Sequence, residues 1–143
     1  MTITEAIPHR PPFLLVDDVV SIVGHTIRTR RRADPEDPVF KGHFPGNPIM
    51  PGVLVCESLF QSAAILMAHL IEGATDNAVP VLTRVSNAKF KHPVKPGDIV
   101  EMEVLFKERL SNACFFNGTA KVNGKTAVSI EFACAVVSKE AVK

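Results

Sequence analysis

The sequence predicts an α+β protein in which one long buried helix is wrapped by a curved, mainly antiparallel sheet of five or six strands. Three observations predict this class. Residues 53–72 form an unbroken run of good helix formers, apolar on nearly every face. The preceding residues 34–52 hold five prolines and three glycines. After Val79, apolar stretches alternate with turn signals, as in a chain of strands, and those strands are expected to enclose the helix.

Strands are predicted on both sides of the loop and helix. Residues 14–23 and 26–32 form two of them, joined at Gly24-His25, after a proline-rich start that forbids long regular structure. Asn123-Gly124 is a strong hairpin signal between the last two strands. The four strands that follow the helix are predicted at residues 81–90, 99–107, 113–122 and 125–137.

The segment before the helix is predicted to be a shaped loop, because its breakers exclude an extended helix or an interior strand. Within it, Pro45-Gly46 suits a type II turn, since proline presets the first central residue and glycine accepts the positive φ of the second. The helix should end near Gly73. Its polar exceptions, Glu57 and Gln61, are four residues apart and therefore share one face.

Length and composition indicate one globular domain over residues 1–143. The chain is 46% hydrophobic and 22% charged, which is ordinary for a domain with an apolar core. Its net charge of +1 does not favour a nucleic-acid binder. Residues 53–71 are long enough to suggest a membrane span, but Glu57, Gln61 and His69 interrupt them. A buried helix fits better, and no membrane association is expected.

Cysteine usage and the first residues predict a cytoplasmic protein. Cys56, Cys114 and Cys134 lack CxxC spacing, and an odd number cannot close into an intrachain disulfide framework. Each lies in an apolar run, so buried, inert thiols are expected. The first residues, MTITEAIPHRPPF, have no signal-peptide character. The histidines show no HxH or HExxH spacing, so no metal site is expected.

Three residues around the start of the long helix offer proton-transfer chemistry. His43 lies in the loop, where a neutral imidazole can act as a general base. Glu57 lies on the buried helix, where apolar surroundings favour the neutral carboxyl, a general acid. Gly52 begins the helix, and the first N–H groups of a helix can hold a carbonyl oxygen as negative charge develops on it. If these groups converge on one cavity, they can remove a proton beside a carbonyl and expel hydroxide as water.

One long motif makes this interpretation specific. Residues 42–61 read GHFPGNPIMPGVLVCESLFQ and resemble the active-site segment GHFPGxPxxPGVLxxExxxQ of the FabZ-type 3-hydroxyacyl-acyl-carrier-protein dehydratases. Residues 7–19, IPHRPPFLLVDDV, are similar to the N-terminal segment of that family, and residues 88–98, AKFKHPVKPGD, to its ARFKRPVxPGD stretch. The resemblance covers nearly the whole chain.

The resemblance implies the hot-dog fold and dehydration of (3R)-3-hydroxyacyl thioesters on acyl carrier protein to trans-2-enoyl thioesters, without a cofactor. It implies a homodimer with a shared sheet, often three dimers together, in which each site takes its histidine from one subunit and its acid from the other. His43 matches the catalytic histidine, Glu57 the catalytic acid, and the Gly52 N–H the donor to the thioester carbonyl. Gln61 matches the glutamine that holds the acid, and a backbone carbonyl near Ile49 would orient the imidazole.

Basic residues are the candidates for docking the phosphopantetheine-bearing carrier. Lys89 and His92 stand where arginines are usual in the family, which would weaken that binding or make it more dependent on pH. A second cluster lies at residues 28–32, where Arg28, Arg30 and Arg32 should point to one side and Arg31 to the other. A solvated edge strand protected by charge is slightly favoured there over a carrier-binding patch. The residues closest to the docking region of the family are Arg84, Lys89, Lys91 and Lys95.

Two alternative classes remain open. Hot-dog proteins include acyl thioesterases and dehydratase-isomerases, although the isomerising branch typically has aspartate where Glu57 stands. A non-catalytic module could instead bind acyl chains, or nucleic acid through the arginine strand, with salt-sensitive retention as its signature. That interpretation would leave His43, Gly52, Glu57 and Gln61 unexplained.

Overall fold

The computed structural model describes residues 1–71 and 78–138. The elements found there are α1 (Ile3–Ala6), β1 (Asp18–Val23), β2 (Thr26–Arg32), α2 (Val39–Gly42), α3 (Gly52–Leu70), β3 (Ala78–Phe90), β4 (Ile99–Leu110), β5 (Ala113–Val122) and β6 (Lys125–Ser138). The predicted α+β class, with one long helix and five or six strands, is confirmed. The core therefore has to form between that helix and the strands.

The six strands form one antiparallel sheet in the order β1-β2-β4-β5-β6-β3. Helix α3 contacts β2, β3, β4, β5 and β6, so the sheet wraps around it. Leu59, Ala63 and Leu66 of the helix are completely buried against the apolar inner face of the sheet. Burial on this scale contributes about 25 cal/mol for each Å² of apolar surface, which makes the helix the centre of the core.

Helix α3 matches the predicted helix closely. It begins one residue before the predicted start and is described as far as Leu70, while the expected stop at Gly73 lies outside the described residues. Its length and mean hydropathy of 1.6 would suffice to cross a membrane, but 61% of that stretch is buried within the fold. The apolar surface of the helix is therefore accounted for by the sheet.

The first strand starts later than predicted, at Asp18 instead of residue 14. The reason is a side chain: the N–H of Leu15 donates to Oε1 of Gln61 at 2.7 Å and not to a neighbouring strand. Two one-turn helices, α1 and α2, were not predicted. The capping box of Thr2 and Glu5 at the start of α1 is a signal that the sequence does contain.

The predicted turns are confirmed. The N–H of Asn47 donates to the carbonyl oxygen of Phe44 at 2.9 Å, and Gly46 between them has φ +85°. Asn123 and Gly124 both have positive φ and connect β5 to β6, as expected of a type I′ hairpin.

The expectation of an arginine-rich edge strand is wrong. Strand β2 lies between β1 and β4, and the edges of the sheet are β1 and β3. Arg28, Arg30 and Arg32 do share the exposed face, as predicted. Arg28 contacts Glu103 on β4 at 2.9 Å, and Arg30 contacts Asp18 on β1 at 3.5 Å. Neighbouring strands thus supply carboxylates that balance much of this positive charge.

Candidate active site

His43 lies immediately after α2, and its imidazole is held by one backbone group. Its Nδ1 lies 2.8 Å from the carbonyl oxygen of Ile49. Since a carbonyl oxygen can only accept a hydrogen bond, Nδ1 must carry the proton and donate it. In the neutral ring Nε2 then keeps its lone pair, which is the tautomer required of a general base.

The loop that carries His43 is held by local hydrogen bonds. The backbone N–H of His43 donates to the carbonyl of Val39 at 3.0 Å, and the turn at residues 44–47 reverses the chain. That reversal brings the carbonyl of Ile49 back to the imidazole. The Phe44 ring packs on the imidazole with a centroid distance of 4.4 Å. Every one of these contacts joins residues within six positions of each other.

Glu57 lies on α3 and is held by Gln61 of the same helix. Gln61 is 1% exposed and uses both ends of its amide. Its Nε2 donates to Oε2 of Glu57 at 2.9 Å and to the carbonyl of Phe13 at 2.8 Å, while its Oε1 accepts from the N–H of Leu15. Gln61 therefore connects Glu57 to the N-terminal segment, defined here as residues 7–19.

Gly52 is the first residue of α3. The N–H groups of Gly52 and Val53 donate to no acceptor within residues 1–71 and 78–138, whereas those of Leu54 and Val55 donate to the carbonyl of Pro51. A Cβ built on Gly52 would lie 2.5 Å from Cδ1 of Phe90. Only glycine allows this close approach of β3 to a helix end that has free donors.

The structure places these groups in two separate clefts. Ile49 and Gly52 line one of them, together with Phe90 and Lys91. Glu57 and Gln61 line the other, which lies beside Pro80, Leu82 and Cys134. Convergence of His43, Gly52 and Glu57 on one cavity is therefore not found within the described part of a single chain.

The predicted docking residues also divide between regions. Arg84, Lys89, Lys91 and Lys95 are all exposed. Lys91 and His92 line the Gly52 cleft, and Lys95 occupies the turn that precedes β4. Arg84 instead lines a third cleft beside Lys107 and Glu131. Of the predicted docking residues, Lys91 lines the Gly52 cleft, Lys89 and Lys95 lie close to it in sequence, and Arg84 lines a different cleft.

Sequence reasoning missed His9. Its Nε2 lies 3.8 Å from Oε2 of Glu57, and its ring lines the same cleft. The two residues are 48 positions apart, and the spacing of the histidines indicates no role for His9. The only available signal was that His9 belongs to the N-terminal segment, which resembles the family.

The cysteines behave as expected. Cys56, Cys114 and Cys134 are free and buried. Burial, with smaller contributions from Cys114 and Glu57, raises the pKa of the Cys134 thiol to about 12. The thiol beside Glu57 is therefore protonated and a poor nucleophile. Within the described residues, no three metal-ligating side chains cluster together.

Comparisons with known proteins agree with this architecture. The family model of the FabA-like domain matches residues 7–131. The FabZ 3-hydroxyacyl-acyl-carrier-protein dehydratase of Caulobacter vibrioides (strain NA1000 / CB15N) is 45% identical over 132 residues, covering 92% of this chain and 83% of that protein. The FabZ of Pseudoalteromonas translucida is 38% identical over 93% of this chain and 89% of its own length.

Solved structures support the fold. The dehydratase heterocomplex ApeI:P of Xenorhabdus doucetiae aligns with a TM-score of 0.83 at 15% identity, covering 99% of this chain and 95% of that one. An uncharacterised protein of Pyrococcus horikoshii aligns with a TM-score of 0.70 at 16% identity, over 93% of this chain and 92% of its own. The hot-dog fold is thereby confirmed. The family model and the sequence identities show that the chain belongs to the family of FabZ-type 3-hydroxyacyl-acyl-carrier-protein dehydratases.

Proposed function

We propose that this protein dehydrates (3R)-3-hydroxyacyl thioesters on acyl carrier protein to trans-2-enoyl thioesters, in fatty-acid biosynthesis or a related lipid or polyketide pathway. It acts as one domain over residues 1–143, in the cytoplasm and without a cofactor. The observation that carries the proposal is a pair of proton-transfer groups held by hydrogen bonds, His43 by the carbonyl of Ile49 and Glu57 by the amide of Gln61. They occur in a chain that is 45% identical to a FabZ dehydratase.

Each group has one role in the reaction. Nε2 of His43 removes a proton from C2 of the acyl chain, because its Nδ1 already donates to Ile49. The free N–H of Gly52 donates to the thioester oxygen, where negative charge develops. The carboxyl of Glu57 protonates the hydroxyl on C3, which leaves as water. The electron pair of the C2–H bond becomes the C2–C3 double bond, and the pair of the C3–O bond leaves with the oxygen. The proton gained by His43 then passes through water to the Glu57 carboxylate, which restores both side chains.

The separation of the two clefts supports a site that is shared between two chains. Strand β3 is a sheet edge of 13 residues, and Leu82, Val85 and Phe90 are exposed on it. A long apolar edge of this kind favours pairing with another strand. We infer that two copies of β3 pair antiparallel and form one continuous sheet across a homodimer, and three such dimers would make a hexamer.

This pairing would also complete the site. Pro80 and Leu82, near the start of β3, line the Glu57 cleft, whereas Phe90 at its end lines the Gly52 cleft. Antiparallel pairing about a two-fold axis places the start of one strand beside the end of the other. The Glu57 cleft of each chain would then meet the Gly52 cleft of its partner, and His43 and Glu57 would come from different subunits.

The exposed lysines beside the Gly52 cleft are the proposed contact for the carrier. Lys89, Lys91 and Lys95 provide positive charge near the cleft that would admit the phosphopantetheine arm, and acyl carrier protein is acidic. Arg84 is a weaker candidate because it faces a different cleft. The arginines of β2 support no nucleic-acid function, since Glu103 and Asp18 pair with two of them.

The direct test is an assay with 3-hydroxyacyl-acyl-carrier-protein as substrate. We expect a rise in ultraviolet absorbance as the conjugated enoyl thioester forms, and the reverse change when enoyl thioester is supplied. A thiol reagent added to the same reaction reports thioester cleavage. Thiol release without enoyl formation would identify a thioesterase and contradict the proposal, and absence of both reactions would favour a binding module.

A further inference from the structure

We propose that His9 is a positioning residue that holds Glu57 for proton transfer, so that the N-terminal segment is part of the active site. This inference rests on the proposed dehydratase function. Its starting point is that two nitrogen atoms approach one oxygen: Nε2 of Gln61 lies 2.9 Å from Oε2 of Glu57, and Nε2 of His9 lies 3.8 Å from that same atom. No described group bonds to Oε1.

The surroundings of the His9 ring direct its Nε2 atom toward Glu57. Its Nδ1 is buried and has no hydrogen-bond partner within the described residues. An orphaned N–H costs more than an orphaned lone pair, so the proton belongs on Nε2, the atom that faces Glu57. The ring also stacks on Phe13, with a centroid distance of 6.3 Å. His9 therefore presents an N–H donor toward the carboxyl group.

Arg10 and Gln61 hold the backbone on either side of that ring. The guanidinium of Arg10 donates to the carbonyl oxygens of Thr4, Ile7 and His9 at 2.7 to 2.9 Å. Gln61 holds the carbonyl of Phe13. The backbone of the segment is therefore fixed near Glu57, and the remaining gap between Nε2 of His9 and Oε2 of Glu57 is short. A small side-chain rotation of His9 or one bridging water can close it.

The consequence is that the two carboxyl oxygens of Glu57 have different roles. Oε2 is the anchored oxygen, which accepts from Gln61 and His9, and Oε1 carries the proton that is given to the leaving hydroxyl. When that proton leaves, the new carboxylate is stabilised by both donors. The donor of His9 thus acts mainly on the chemical step and not on substrate binding.

Two pairs of variants test the proposal. His9→Phe keeps the ring that stacks on Phe13 but removes both nitrogens. His9→Gln can place an amide N–H near the position of Nε2, whereas His9→Asn reaches only as far as Nδ1. His69→Phe is the control, because His69 is exposed in the last turn of α3.

The readouts are kcat and KM for 3-hydroxyacyl-acyl-carrier-protein, with Tm as a measure of folding. We expect His9→Phe and His9→Asn to lower kcat about 10- to 100-fold with KM within about 2-fold, and His9→Gln to recover to within about 3-fold of wild type. All four variants should keep the wild-type Tm.

The proposal is overturned if His9→Phe keeps full kcat, if His9→Gln is as slow as His9→Phe, or if kcat falls only together with Tm. An inactive wild-type protein in the same assay would instead contradict the dehydratase function itself. If His9→Phe does not fold, the contrast between His9→Gln and His9→Asn still decides the matter, and equal activities would count against the proposal.

Discussion

The two halves of the candidate site are held in opposite ways. The imidazole of His43 is held by contacts within six positions of sequence, whereas Gln61 joins Glu57 to Phe13 and Leu15, which lie 48 and 46 positions from Gln61. The imidazole is therefore oriented by its neighbours in sequence, while the N–H of Met50 ties the end of the loop to the carbonyl of Val94. The contacts of Gln61 with Phe13 and Leu15 exist only when the N-terminal segment has docked on α3. It follows that substitution of His43 should change chemistry alone, while substitution of Gln61 itself should change chemistry and stability together.

The largest effect on activity is expected from His43→Ala. The imidazole is the proposed general base, so kcat should fall about 10⁴-fold, near the upper end for loss of general-base catalysis. Because the half-buried ring is held by Ile49 and Phe44 of its own loop, the free energy of unfolding should stay within about 1 kcal/mol of wild type. Denaturant unfolding and the enoyl-thioester assay measure the two quantities. Activity within a few-fold of wild type would rule out His43 as the base.

Glu57→Gln should have the next largest effect. The amide keeps the shape of the side chain but cannot deliver a proton, so kcat should fall about 10²- to 10³-fold while acyl ligand still binds. Isothermal titration with a non-reactive acyl thioester analogue checks binding, and the absorbance assay checks turnover. If the variant unfolds but retains full activity per folded molecule, Glu57 is structural and not the acid.

Gln61→Leu tests whether the half of the site that contains Glu57 contributes more to stability than the half that contains His43. Leucine fills a similar volume but leaves the N–H of Leu15 and the carbonyl of Phe13 unpaired, which should cost about 2 to 4 kcal/mol of unfolding free energy. Activity should fall as well, because Oε2 of Glu57 loses the hydrogen bond from Gln61. His43→Phe is the matched control in the locally held half, with a loss below about 1 kcal/mol. Equal stability of the two variants would contradict the proposed difference between the halves.

The same difference explains what could be predicted from sequence. The helix, the strands and the turns at Gly46 and Gly124 follow from hydrophobic pattern and glycine chemistry, which are local properties. Glu57 and Gln61 were placed on one face by their spacing, and they do form a hydrogen bond. His9 was missed because its contact with Glu57 spans 48 positions and depends on how the N-terminal segment docks.

The arginine strand was misplaced for a related reason. Alternation placed Arg28 and Arg30 correctly on one exposed face, since side-chain direction is a local property of a strand. Whether β2 lies at the edge of the sheet depends on its pairing with β4. Strand β4 begins 67 residues after the end of β2, so this pairing is a long-range property. Charge pattern alone does not report such long-range pairing, because interior strands also carry charged residues when their partners supply the opposite sign.

Charge reversal beside the Gly52 cleft should have a smaller, more selective effect. Replacing Lys89, Lys91 and Lys95 by Glu should raise the apparent KM for carrier-bound substrate about 10-fold without changing kcat/KM for a small soluble thioester. The matched control is Lys121→Glu with Lys125→Glu, two exposed lysines on and beside the β5–β6 hairpin. Equal losses on both substrates would point to damage within the cleft, and no loss on either would exclude these lysines from docking.

Mixing two inactive variants tests whether the locally held half of one chain works with the other half of its partner. Consider a dimer of one His43→Ala chain and one Glu57→Gln chain. If each site takes its histidine from one subunit and its acid from the other, one site carries both substitutions and the other site carries neither. With equal amounts and random pairing, about half of the dimers are mixed and each has one working site, so about one quarter of wild-type activity should return under two-fold symmetry. Co-expression with two different affinity tags isolates the mixed dimers, which should reach about half of wild-type activity. Each variant mixed with itself is the control and should remain inactive. Verified mixed dimers without activity would mean that His43 and Glu57 act within one chain. The proposed pairing through β3 would then no longer explain why these residues lie at two separate clefts.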